Sequence, residues 1–99
     1  MTVYHVEMKK YGDTYQFVSG DIGEKALLKW VYETMSHNVG ASMTIYYPTQ
    51  IAGRNFKLYN EIGKVRQNNG IKFYRAIGGT FYITPKGDLS DTDPNARRL

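Results

Sequence analysis

Between Ile51 and Arg75 the chain sets six cations, Arg54, Lys57, Lys64, Arg66, Lys72 and Arg75, against one acid, Glu61. Phe56, Tyr59, Phe73 and Tyr74 are interleaved with them, and Asn68-Asn69-Gly70 marks a turn in the middle. Ammonium and guanidinium groups neutralise phosphates, and flat rings stack on bases. Cations set among aromatics therefore fit the backbone of a nucleic acid, or an acidic nucleoprotein surface. The pattern does not specify a known module: Lys72-Phe73-Tyr74-Arg75 lacks the glycine-spaced aromatics of an RNA-recognition motif.

Covalent chemistry has fewer candidates. With no cysteine, a nucleophile would have to be a serine or threonine served by His5 or His37. No Gly-x-Ser-x-Gly elbow occurs, and Ser19-Gly20-Asp21 has no adjacent histidine. The six acids before Lys86 are scattered, so no pair is spaced for general acid–base work. Ser19 to Glu24 opens a helix as a phosphate cradle would, but its carboxylates would repel a phosphate. Two histidines without cysteine leave too few ligands for structural zinc, and no cofactor is implied. One enzymatic reading stays open, a small metal-independent ribonuclease using Arg75, Lys72, Tyr82 and His5 for proton transfer and charge stabilisation.

The leading expectation is a non-catalytic binding module. Arg54, Lys57, Lys64, Arg66, Lys72 and Arg75 would supply charge, and Phe73 and Tyr82 flat contacts. The alternative is a protein–protein inhibitor or adaptor, of the kind that viruses and mobile elements use to block a host complex. Its warrant is a tyrosine-rich surface, nine tyrosines in 99 residues, without a catalytic signature. A homodimer would also use such a surface.

Composition frames these readings. The formal charge is +4, and the stretch from Lys86 to Leu99 balances three bases with three acids. The excess therefore lies in the first 85 residues. No apolar run approaches the roughly 18–20 residues of a membrane helix. The start of the chain lacks the basic-then-apolar order of a secretory signal, and the lack of cysteine favours a reducing cytoplasm.

The elements that must position these residues can be read from periodicity. Tyr4, Val6 and Met8 alternate with polar neighbours, Tyr11-Gly12-Asp13 is a turn, and Thr14 to Val18 returns as a second strand. His5 falls on the polar face of the first strand. Asp21 and Glu24 have capping-box spacing for a helix over 22–36, whose apolar stripe is Leu27, Leu28, Val31 and Met35. His37 suits its C-terminus. Residues 41–47 read as a strand, with Met43, Ile45 and Tyr47 inward. Leu58, Ile62 and Val65 at helical spacing predict a second helix over 54–68, weakened by Gly63 and stopped by Asn69-Gly70.

The strands 71–77 and 80–84 flank Gly78-Gly79, which predicts a two-residue hairpin turn with Ile77 opposite Thr80. That register puts Tyr74, Ala76, Phe81 and Ile83 on one face, and Phe73, Arg75 and Tyr82 on the other. The expected fold is a single small α+β domain over residues 1–85, in the order β-β-α-β-α-β-β. Its mostly antiparallel five-stranded sheet would carry helices on one face. Residues 86–99 are expected to be a polar, mobile tail.

Overall fold

The computed structural model describes residues 2–47, 61–67 and 69–93. Over these residues the chain forms β1 (Thr2–Lys10), β2 (Asp13–Ile22), α1 (Glu24–Ser36), β3 (Ser42–Tyr46), β4 (Glu61–Gln67), β5 (Ile71–Arg75), β6 (Thr80–Ile83) and β7 (Leu89–Ser90). The strands make one seven-stranded sheet in the order β2-β1-β3-β4-β5-β6-β7. Every neighbouring pair is antiparallel. The α+β class holds, with two more strands than expected and, among the described residues, a single helix. No described helix is long and apolar enough to cross a membrane.

Alternation divides each strand between a face under α1 and an open face. Val6 and Met8 of β1, Met43 and Ile45 of β3, Val65 of β4, Ile71 and Phe73 of β5 and Ile83 of β6 are buried under the helix. The helix contributes Leu27, Leu28, Val31 and Met35, the stripe its periodicity predicts. Burying side chains of this size contributes about 1.5–3 kcal/mol each, which makes this layer the main source of stability.

The two ends of the helix differ in how far the sequence anticipates them. At the C-terminus His37 is the cap, as expected, with its Nδ1 2.8 Å from the Glu33 carbonyl oxygen. At the N-terminus no capping box forms. The N-cap is Gly23, without a side-chain cap, because β2 runs on through Ile22 and Asp21 is still strand, paired with Val3.

That extension rests on a bulge. Ser19 and Gly20 together oppose Tyr4, and the Ser19 hydroxyl accepts the Tyr4 amide at 2.8 Å. An unbroken strand would send Phe17 and Ile22 to opposite faces. The extra residue turns both toward α1 and the core.

The second helix expected over 54–68 is not what residues 61–67 form. They are β4, a strand inside the sheet, and residues 54–60 lie outside the described residues. Ile62 and Val65 do both reach the core, but Ile62 does so as the extra residue of a bulge, between the pairs Ile45↔Gly63 and Tyr46↔Glu61. Gly63 is required where it sits. A Cβ there would stand 2.6 Å from both the Phe73 ring and the Tyr74 carbonyl oxygen. Asn69-Gly70 does not stop a helix; it turns β4 into β5, with φ of 54° and 109°.

Residues 86–93 are part of the fold. Leu89 packs on the core, β7 pairs with β6, and Asp88 forms an ion pair with Lys25 at 3.2 Å.

Candidate functional site

The β5–β6 hairpin decides which of the candidate residues share a surface. The observed pairs are Lys72↔Tyr82, Phe73↔Phe81 and Tyr74↔Thr80, and the Arg75 amide donates to the Gly79 carbonyl at 2.9 Å. The connection is therefore longer than two residues, and Ile77 points into solvent at 90% exposure instead of facing Thr80. The register differs from the expected one by an odd number of residues, so the faces exchange.

Phe73 is a core residue, 1% exposed, not a flat contact for a ligand. Arg75 also lies on the helix side. Its guanidinium pairs with Glu24 of α1 and sits 5.6 Å from the centre of the Phe73 ring and 6.0 Å from that of Phe81. The expected surface of Phe73, Arg75 and Tyr82 does not exist; Tyr82 alone of the three faces the open side. Arg54 and Lys57 lie outside the described residues.

The open face has a different set. Across the strands, Thr14, Lys9, Ser42, Arg66, Lys72, Tyr82 and Ser90 stand in one register row. The neighbouring row runs Gln16, Glu7, Thr44, Lys64, Tyr74 and Thr80. Strand spacing puts Lys9 and Lys72 roughly 14 Å apart along the first row, with Arg66 between them.

Arg66 and Lys72 are directly opposite each other, an arrangement of like charges that costs stability in a sheet. Among the described residues no ion pair engages Lys9, Lys64, Arg66 or Lys72. Lys72 Nζ lies 5.2 Å from the centre of the Tyr82 ring, a cation–π contact that fixes both side chains across the pair. A shallow depression of about 180 Å³ lies beside them, walled by Glu7, Lys9, Ser42, Thr44, Lys64 and Arg66.

The cationic rows end where the face becomes closed. His5 and Tyr46 are cross-strand partners on this side with ring centres 6.2 Å apart, and both are buried, at 6% and 8% exposure. The exposed position expected for His5 is corrected accordingly. Tyr47 follows the inward side as expected, yet is exposed at 43%, with its ring 5.6 Å from that of Tyr4. Burial, with Tyr47 and Glu24 nearby, raises the Tyr4 hydroxyl above its ordinary value, partly offset by a hydrogen bond with Thr2. Of the four residues considered for ribonuclease chemistry, Lys72 and Tyr82 are neighbours. Arg75 is on the opposite side of the sheet, and His5 is in the closed end.

Sequence reasoning missed Lys9. It lies outside the 51–75 segment and joins Arg66 and Lys72 only through the pairing of β1, β3, β4 and β5. Among the described residues no group of three or more histidines, aspartates and glutamates is placed to hold a metal ion. No family model, curated protein or solved structure matches the chain.

Proposed function

We propose that the protein is a binding module that holds single-stranded nucleic acid on the open face of its sheet. Phosphates would lie along the row of Lys9, Arg66 and Lys72, with Lys64 in the adjacent row. The observation that carries the reading is the direct opposition of Arg66 and Lys72. Among the described residues no carboxylate pairs with either cation, and an anion bound between them would relieve their repulsion. Tyr82 and Tyr74, half-buried beside these cations, offer ring surface for unpaired bases. A duplex presents its bases stacked inside, so the rings favour a single strand.

Anisotropy of a labelled single-stranded oligonucleotide, titrated with the protein at several salt concentrations, tests this. Four cations at roughly −0.7 each predict a slope of about −3 in log K against log salt, or about a 50-fold loss from ~50 to ~200 mM. Reversing two of them, Arg66→Glu with Lys72→Glu, should cut that slope to roughly half. Absence of binding at low salt, or binding unmoved by the double reversal, would overturn the reading. Retention of an acidic protein with no retention of the oligonucleotide would transfer the face to a protein partner.

A further inference from the structure

The second feature that asks for an occupant is the edge of the sheet at β2, on the side away from the cationic rows of β4 and β5. Among the described residues β2 pairs only with β1, which leaves its other side without a neighbour. Edge strands are usually guarded by lysine, proline or irregularity. The ten residues of β2 include no lysine, arginine or proline. Its irregularity, the bulge at Ser19-Gly20, comes near one end, and Asp13 to Val18 run in unbroken register before it. Tyr15 and Val18 on this stretch are exposed, at 44% and 67%.

Beside that edge lies an apolar groove of about 340 Å³. Phe17, Val18 and Ile22 form its strand wall, and Ala26, Leu27 and Trp30 of α1 form the other. The Phe17 and Trp30 rings meet edge-on with centres 5.2 Å apart and make its floor rigid. A strand added to β2 would send every second side chain toward α1 and therefore into this groove. The backbone edge and the groove call for one and the same ligand shape.

Charge selects among extended ligands. Asp13 and Asp21 stand near the two ends of β2, on its helix side and open side respectively, with no cation on the strand, while the exposed Lys29 and Glu33 beside Trp30 offset each other on α1. Lys10, cross-strand from Asp13, is turned to the Asn38 side-chain oxygen at 3.1 Å. A second copy of the chain would bring the same two aspartates to the junction. A segment carrying lysine or arginine would neutralise them.

We infer that the free edge of β2, together with the groove between β2 and α1, docks an extended peptide segment of a partner protein as an added strand. That segment sends apolar side chains into the groove beside Phe17 and carries a basic side chain toward each end, one on the helix side to meet Asp13 and one on the open side to meet Asp21. The site is separate from the open-face cations, so either can fail without the other.

Selection from a phage-displayed library of random extended peptides against the full chain tests the inference. The selected peptides should converge on an alternating apolar centre flanked by basic residues, and a synthetic copy of the winner should shift the amide resonances of residues 13–19 and 26–30. Ala26→Arg keeps a strong helix former at an exposed position, fills the groove and repels lysine. It should weaken that peptide at least ~10-fold while leaving oligonucleotide binding unchanged. Lys72→Glu should leave peptide binding in place. Failure to converge, convergence on acidic peptides, or shifts confined to the open face would overturn the inference. So would a dimer in sedimentation that Ala26→Arg dissolves, because the edge would then belong to a second copy.

Discussion

Lys72 and Arg75 are three residues apart on one strand, and the sheet treats them in opposite ways. Arg75 lies on the side of α1, paired with Glu24 and laid against Phe73 and Phe81. It joins helix to sheet, and its charge is largely spent within the protein. Lys72 lies on the open side, opposite Arg66 and over the ring of Tyr82, with no carboxylate paired to it among the described residues. The cations in a segment therefore do not measure the charge on a surface. Alternation sorts them, and only those sent to the open face remain for a ligand.

The comparison breaks most visibly on the helix side. Phe73→Ala should destabilise the fold by about 3–5 kcal/mol in urea unfolding, since it empties a fully buried ring site. A loss of binding without that loss of stability would return Phe73 to the surface. Next in size is Gly63→Ala, whose new methyl meets the Phe73 ring and the backbone of β5. Overpacking of this kind costs about 1–3 kcal/mol, and an unchanged midpoint would mean that β4 and β5 do not approach so closely.

On the open side the sign should invert. Lys72→Glu would place a carboxylate opposite Arg66 and raise stability by roughly 0.2–1 kcal/mol while weakening the oligonucleotide. A variant that both binds less and unfolds earlier would show Lys72 to be structural. The smallest effect belongs to Arg75→Gln. Its pair with Glu24 is partly exposed, at 31% and 46%, so its loss should cost about 0.5 kcal/mol and leave the salt slope of binding unchanged.

Where one local signal sufficed, the sequence was readable. The stripe of Leu27, Leu28, Val31 and Met35 defines α1, and Tyr11-Gly12 turns β1 into β2 with φ of 51° and 85°. Where a bulge intervened, the period misled. Ile62 and Val65 both touch the core at three-residue spacing, which imitates a helix. Gly63 takes a position under Phe73 that carries no apolar signal at all. At the β5–β6 connection Ile77 resembles a strand residue, yet it is exposed in a longer loop. That one misreading moved Phe73 and Arg75 to the wrong face and left Tyr82 on the right one. The cationic row was illegible for a different reason: Lys9 and Lys72 share a row only through pairings across four strands, which no window of sequence contains. Lys64, Arg66, Lys72 and Tyr82 were nonetheless among the residues the composition singled out.

Gly87 has φ of 87°, and a Cβ there would stand 2.3 Å from the Lys25 carbonyl oxygen. It therefore joins the turn before β7 to a helix made more than sixty residues earlier in the chain. A contact between positions so distant closes a large loop, and loop closure delays such contacts in folding. The hairpin of β1 and β2 and the helix can organise from neighbouring residues, whereas this clasp closes a loop of more than sixty residues. Hydrogen exchange should then find the amides near Gly87 opening first, well before those of β3 and β4.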